Sequence, residues 1–145
     1  MEIITKNYQE TQKAGELLAK EIKKTPLVVA LEGNLGAGKT TFIQGMAKGL
    51  GIQEQITSPT FVIMKKYAID GGFFYHLDCY RLASSQDILE LGFKEIIRPG
   101  NVIAIEWAEK VKDVLPEDTL WLEFEYLDKD ERKIKTRQEF SQREH

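Results

Sequence analysis

Two spacings of apolar residues alternate along the chain. Leu27-Val28-Val29-Ala30-Leu31 and Val102-Ile103-Ala104-Ile105 are unbroken apolar runs of strand length, the mark of strands buried on both faces and paired in parallel. Between and around them, apolar residues recur at helical intervals. Ala14, Leu17, Leu18 and Ile22 share one face, predicting a helix over residues 10–24 that Pro26 closes. Phe42, Ile43, Met46, Ala47 and Leu50 predict a second, with Gly51 where a C-terminal glycine belongs. Ser84 and Asp87 have capping-box spacing ahead of a third, in which Leu89, Phe93, Ile96 and Ile97 share a face. Residues 60–69 and 73–80 read as strands joined by the turn signal Asp70-Gly71-Gly72, an antiparallel hairpin. Arg98-Pro99-Gly100-Asn101 is a turn, and a short helix is expected from Ala108 to Val114, before Pro116. Leu120–Tyr126 alternates apolar with acidic residues, a strand with one buried face, and residues 131–136 pair with it after Asp128-Lys129-Asp130.

Strand, helix and strand in this order predict an α/β fold: a P-loop NTPase-like three-layer α/β/α arrangement around a mixed parallel/antiparallel sheet. The two apolar runs are expected to be parallel and the remaining strands antiparallel. With 145 residues, one domain over 1–145 is expected, with a polar, frayed tail at about 137–145. The net charge of −3 argues against a surface that grips nucleic acid unaided. The single cysteine, Cys79, excludes an internal disulfide and reads as a small buried hydrophobe. The N-terminus lacks a signal-peptide core and no stretch is long enough to span a membrane, so a cytoplasmic location is expected.

The chemistry is announced at Gly33-Asn34-Leu35-Gly36-Ala37-Gly38-Lys39-Thr40, a complete Gly-x-x-x-x-Gly-Lys-Thr phosphate loop, followed by Thr41. Its glycines let successive backbone N–H groups converge on phosphate oxygens, Lys39 reaches the β and γ phosphates, and the Thr40 hydroxyl can ligate Mg²⁺. The helix that follows adds the positive end of its dipole. A strand before and a helix after are the context this motif requires.

Phosphoryl chemistry also needs Mg²⁺ held from a second direction and a group that orients the attacking atom. Glu106 ends the second apolar run and Asp78 ends Phe73-Phe74-Tyr75-His76-Leu77; either could face Mg²⁺ directly or through water, or be a solvated strand-end carboxylate. Ser58-Pro59-Thr60-Phe61 sits between the P-loop helix and the hairpin, where hydroxyls could sense a γ-phosphate; a polar turn introducing a strand reads equally well. Arg81 fits a surface ion pair better than a phosphate contact, His76 a structural role better than a catalytic one, and Trp107 is core by default while also placed to shield the site. The chain holds no Asn-Lys-x-Asp guanine-reading motif, which weighs against a Ras-like GTPase and tilts the nucleotide towards ATP. It has no arginine-rich lid and no assignable glutamine or arginine finger, so slow intrinsic hydrolysis is expected, near ~10⁻⁴ per second as in unassisted P-loop switches.

The ordered set Gly33–Phe42, Ser58–Phe61, His76-Leu-Asp-Cys-Tyr-Arg-Leu82, Glu90-Leu-Gly92 and Ile105-Glu-Trp107 closely resembles the bacterial TsaE (YjeE) family over nearly the whole chain. The resemblance implies a small ATPase that joins TsaD-like and TsaB-like proteins. It would support N6-threonylcarbamoyladenosine (t6A) formation at adenosine 37 of tRNAs that read codons beginning with adenine, meeting tRNA only through the complex. It implies ATP as substrate and Mg²⁺ as cofactor. Lys39 and Thr40 would bind phosphate and metal, Glu106 would be the second Mg²⁺ group, Asp78 a catalytic or metal-water carboxylate, and Ser58 to Phe61 a nucleotide-responsive segment. Thr11 and Arg132 would lie near the adenine. Other readings of the same residues are a nucleotide-gated adaptor with incidental hydrolysis and a small-molecule kinase.

Overall fold

The computed structural model describes residues 2–23, 25–34, 36–57 and 64–137. Its strands are β1 (Glu2–Thr5), β2 (Leu27–Gly33), β3 (Met64–Ile69), β4 (Gly72–Asp78), β5 (Val102–Glu106), β6 (Leu120–Asp128) and β7 (Glu131–Thr136). Its helices are α1 (Tyr8–Glu21), α2 (Lys39–Gly49), α3 (Ser85–Glu90) and α4 (Phe93–Ile96), with a 3₁₀ segment at Ala108–Val114. The strands form one mixed sheet in the order β1-β7-β6-β2-β5-β4-β3.

Alternate residues of each strand face opposite ways, and both faces are covered. Val29 and Leu31 of β2 pack with Phe42, Ile43 and Met46 of α2 and with Leu122 and Phe124 of β6. Val28 and Ala30 face the other way, towards Ile88, Phe93 and Val111. This is the three-layer α/β/α arrangement with a mixed sheet that the patterning predicts.

Four central strands run parallel, because β2 pairs with both β5 and β6, and β5 also pairs with β4. The expectation of antiparallel pairing outside the two apolar runs is therefore corrected for β4 and β6. Alternation along Leu120–Tyr126 encodes one buried face but not strand direction, and the direction is set by the crossover through the 3₁₀ segment. The hairpins β3–β4 and β6–β7 are antiparallel as expected. The first begins at Met64 among the described residues; positions 60–63 of the expected strand lie outside them. Strand β1, antiparallel to β7, escaped the sequence reading because an edge strand of four residues with exposed Ile3 and Ile4 carries no burial signal.

Helix α1 packs Ala14, Leu18 and Ile22 of the expected apolar face against the core, but its most buried positions are small residues beside them. Its fully buried residues are Thr11, Gly15 and Ala19, while Leu17 is 48% exposed. Close approach to α2 decides this. A Cβ on Gly15 would lie 2.1 Å from the Phe42 carbonyl oxygen, and one on Gly45 would lie 1.9 Å from that of Gln12. Small residues lead this interface because the two backbones touch.

The third expected helix is two. Gly92 adopts a left-handed conformation (φ 88°) between α3 and α4 and breaks the turn. The expected capping box does not form, because the acid at its third position reaches past the N-cap to the residue before it. Asp87 Oδ2 accepts from the Ala83 N–H at 3.2 Å, and the Ser84 side chain makes no capping hydrogen bond.

Candidate functional site

The candidate site lies at the carboxyl ends of β2, β4 and β5, where open α/β sheets bind ligands. β2 runs directly into the glycine-rich loop. Gly33, with φ 144°, ends the strand so close to β6 that a Cβ would sit 2.4 Å from the Phe124 carbonyl oxygen. Gly38, left-handed at φ 99°, turns the chain into α2 and accepts the first helical hydrogen bond, from Phe42 N–H at 2.9 Å. The described loop residues and the strand ends enclose a cavity of about 490 Å³, lined by Gly36, Ala37, Gly38, Lys39, Thr40, Thr41, Asp78, Tyr80, Glu106, Trp107 and Arg132.

Residues distant in sequence therefore meet in one place. Parallel pairing of β4 with β5 sets Asp78 level with Glu106. Thr40, on the first turn of α2, donates its hydroxyl to both Glu106 oxygens, each at 2.9 Å. Glu106 is 4% exposed, and its Oε2 also meets His76 Nε2 at 2.7 Å. Asp78 is half-buried, and its Oδ1 accepts from the Tyr80 N–H at 3.0 Å.

Lys39 is 5% exposed. Its ammonium donates to the Gly33 carbonyl and lies 3.6 Å from the centroid of the Trp107 ring. Burial pushes its pKa below the ordinary lysine value, while the negative charges of Glu109, Glu106, Asp78 and Glu32 pull in the opposite direction. The lysine is thus a desolvated cation held by a carbonyl dipole and an aromatic face, arranged to gain from an incoming anion. Trp107 reaches this position from a left-handed backbone (φ 57°), unusual for a non-glycine residue, and meets Tyr80 in a tilted contact with ring centroids 5.0 Å apart.

The loop's outer side is built by residues from the far end of the chain. Arg132 of β7 donates from Nε to the Gly36 carbonyl at 2.9 Å and from Nη1 to the carbonyls of Lys129 and Glu131. Its guanidinium lies 4.6 Å from the Tyr126 ring centroid. Thr11 is buried, shares a 2.7 Å hydroxyl contact with Thr5, and flanks Gly38. A Cβ on Gly38 would be 3.5 Å from Arg132 Cγ and 3.6 Å from Thr11 Cγ2, so both residues border the loop.

Lys39, Thr40, Thr41, Asp78, Glu106 and Arg132 all line the cavity, together with Trp107. Thr11 borders the loop without lining the cavity, and Asn34 is exposed beside it. Leu35 and Ser58, Pro59, Thr60 and Phe61 lie outside the described residues. Arg81 is exposed and takes no part in the lining. Cys79 is fully buried, and burial pushes its thiol up to about 12, as suits a small packed hydrophobe. Two further residues belong to this neighbourhood. Tyr80 packs its ring at a tilt against Trp107, and Glu109 is the acid whose charge acts most strongly on Lys39. No local spacing marks Glu109, because Glu106 ends β5 and left-handed Trp107 separates it from the 3₁₀ segment that carries Glu109.

Comparison with known proteins gives one family throughout. The family model described as threonylcarbamoyl adenosine biosynthesis protein TsaE matches residues 5–134. The chain is 40% identical over 135 residues to the tRNA threonylcarbamoyladenosine biosynthesis protein TsaE of Treponema pallidum, covering 92% of this chain and 98% of that protein. It is 40% identical over 131 residues to the protein of the same name from Bacillus subtilis, covering 90% and 80%. The crystal structure of Bacillus subtilis YdiB superposes with a TM-score of 0.76 at 33% identity, covering 100% of this chain and 96% of that one. Motif order, fold and relatives agree, and the chain belongs to the TsaE family.

Proposed function

We propose that the protein is a Mg²⁺-dependent ATPase that supports t6A formation at adenosine 37 of tRNAs reading codons that begin with adenine. It would act as a subunit beside TsaD-like and TsaB-like proteins and meet tRNA only through that complex. Its relatives are named for tRNA threonylcarbamoyladenosine biosynthesis. Among the described residues no helix is long and apolar enough to cross a membrane.

One observation carries the ATPase reading: the Thr40 hydroxyl sits on both oxygens of Glu106 in the cavity that also holds Lys39. A hydroxyl and a carboxylate are hard oxygen donors of the kind Mg²⁺ takes in ones and twos, leaving its other positions to water and phosphate. Among the described residues no group of three or more His, Cys, Asp or Glu could hold a metal alone, so the nucleotide's phosphates would complete the set. Thr40 and Glu106 would hold Mg²⁺, which when bound neutralises charge on the phosphate oxygens.

The remaining work falls to the chain. The loop's N–H groups and the α2 N-terminus bind the phosphates. Lys39 leaves the Gly33 carbonyl and the Trp107 face for a phosphate oxygen. Asp78, level with Glu106, orients the attacking water. Thr11 and Arg132 flank the base side of the loop. Arg132 is engaged with three carbonyls, which leaves it no free fork for the transferring phosphate and suits slow intrinsic turnover.

The test is ATP hydrolysis with and without the partner proteins. Weak activity alone, strong stimulation in the complex, and loss of that stimulation in Glu106→Ala are expected. Absence of stimulation would make the protein a nucleotide-gated adaptor. Labelled phosphate appearing on a metabolite would make it a kinase.

A further inference from the structure

We propose that His76 is a positioning residue for Glu106, holding its carboxylate in the orientation that receives Mg²⁺; the proposal rests on the nucleotide reading above. His76 is 0% exposed, in the run Phe74–Leu77 whose members are all buried. An aliphatic side chain would fill this position with no polar atom to satisfy. The imidazole instead spends Nε2 on Glu106 Oε2 at 2.7 Å.

The sheet builds this contact. His76 is in register with Ala104, whose small side chain leaves room across the β4–β5 pair. Glu106 is two residues further along β5, on the same face. The carboxylate is thereby fixed from two directions, by His76 from within the sheet and by Thr40 from α2. Its three side-chain torsions are set before any ligand arrives.

The contact also selects a tautomer. A carboxylate only accepts, so Nε2 carries the hydrogen. Nδ1 is buried with no hydrogen-bond partner among the described residues, and a lone pair there costs less than a stranded N–H. The hydrogen on Nε2 therefore points at Glu106 by default.

Calorimetric titration of ADP, with Mg²⁺ and with EDTA, separates this role from packing. Groups that orient metal ligands typically contribute 10- to 100-fold in metal affinity. In His76→Leu the Mg²⁺-dependent gain in ADP affinity should fall by about tenfold or more, with metal-free ADP affinity held to about twofold. His76→Gln, whose side-chain N–H reaches a similar point, should restore most of the gain. A folded His76→Leu protein that keeps the full gain overturns the proposal, and so does failure of His76→Gln to restore any. Wild-type protein showing no Mg²⁺-dependent gain defeats the nucleotide reading instead.

A second measurement needs no variant. The chain has two histidines, His76 and His145, so ¹⁵N-histidine labelling resolves the buried ring. The Nε2–H tautomer is expected, and an Nδ1–H tautomer overturns the proposal.

Discussion

Gly45→Ala tests how the two helices that frame the glycine-rich loop are held together. The substitution should help by intrinsic propensity, since alanine is favoured over glycine inside a helix by about 1 kcal/mol. The packing says the reverse. The new Cβ would lie 1.9 Å from the Gln12 carbonyl oxygen, 2.7 Å from Gln12 C and 2.9 Å from its Cα. The shortest of these is about 1.5 Å inside the 3.4 Å at which contact becomes ordinary. All three atoms are backbone, so no rotamer change relieves the clash and α1 must move away from α2. Overpacking of this kind costs typically 1–3 kcal/mol, and a backbone–backbone collision belongs at the upper end of that range. Offset by the propensity gain, a net loss of about 2 kcal/mol follows, equivalent to a fall of roughly 4–8 °C in Tm for a chain of this size. Urea unfolding at equilibrium measures it: the midpoint should fall at unchanged slope. Because α1 carries Thr11 against the loop and α2 begins at Lys39, ADP affinity should weaken in parallel. A Gly45→Ala protein as stable as wild type, or more so, would refute backbone contact as what sets this interface.

Lys39→Met should abolish ADP binding in calorimetry while circular dichroism shows an intact fold; unchanged affinity would defeat the phosphate-loop assignment. The same variant should unfold at a higher temperature than wild type at neutral pH. Folding lowers the pKa of Lys39 below its ordinary 10.5, so the charged form is penalised at every pH below the folded value. That penalty fades as pH rises from the folded value towards 10.5, and the variant's advantage should shrink with it. Cys79, buried with its thiol pushed up to about 12, should resist a thiol-reactive disulfide at pH 8 in the native state and react at once in denaturant. Modification of the native protein at the unfolded rate would contradict its burial.

The parts of the fold written in local spacing were legible. Buried runs marked β2 and β5, the glycine-lysine-threonine pattern marked the loop, and the acids at the ends of β4 and β5 marked the opposite wall of the cavity. What escaped depends on contacts across the chain. The closeness of α1 to α2 follows from two glycines touching foreign backbone, which hydrophobic periodicity does not encode. The direction of β6 is a property of its connection, and the break at Gly92 of a backbone torsion. At the site, residue type alone favoured a structural reading for His76. Only the register that sets it beside Ala104 brings its ring to Glu106.

Arg132 gives the glycine-rich loop an order of completion. The loop itself is finished by residue 40, yet its outer lip is tied through Gly36 to a guanidinium 96 positions further on. On a chain emerging from the ribosome, β2 and α2 are available early, while β7 is the last described strand to arrive and the partner on which β1 closes. A fully walled site therefore exists only once β7 has been made, and a chain truncated before residue 132 would carry the whole motif without its rim.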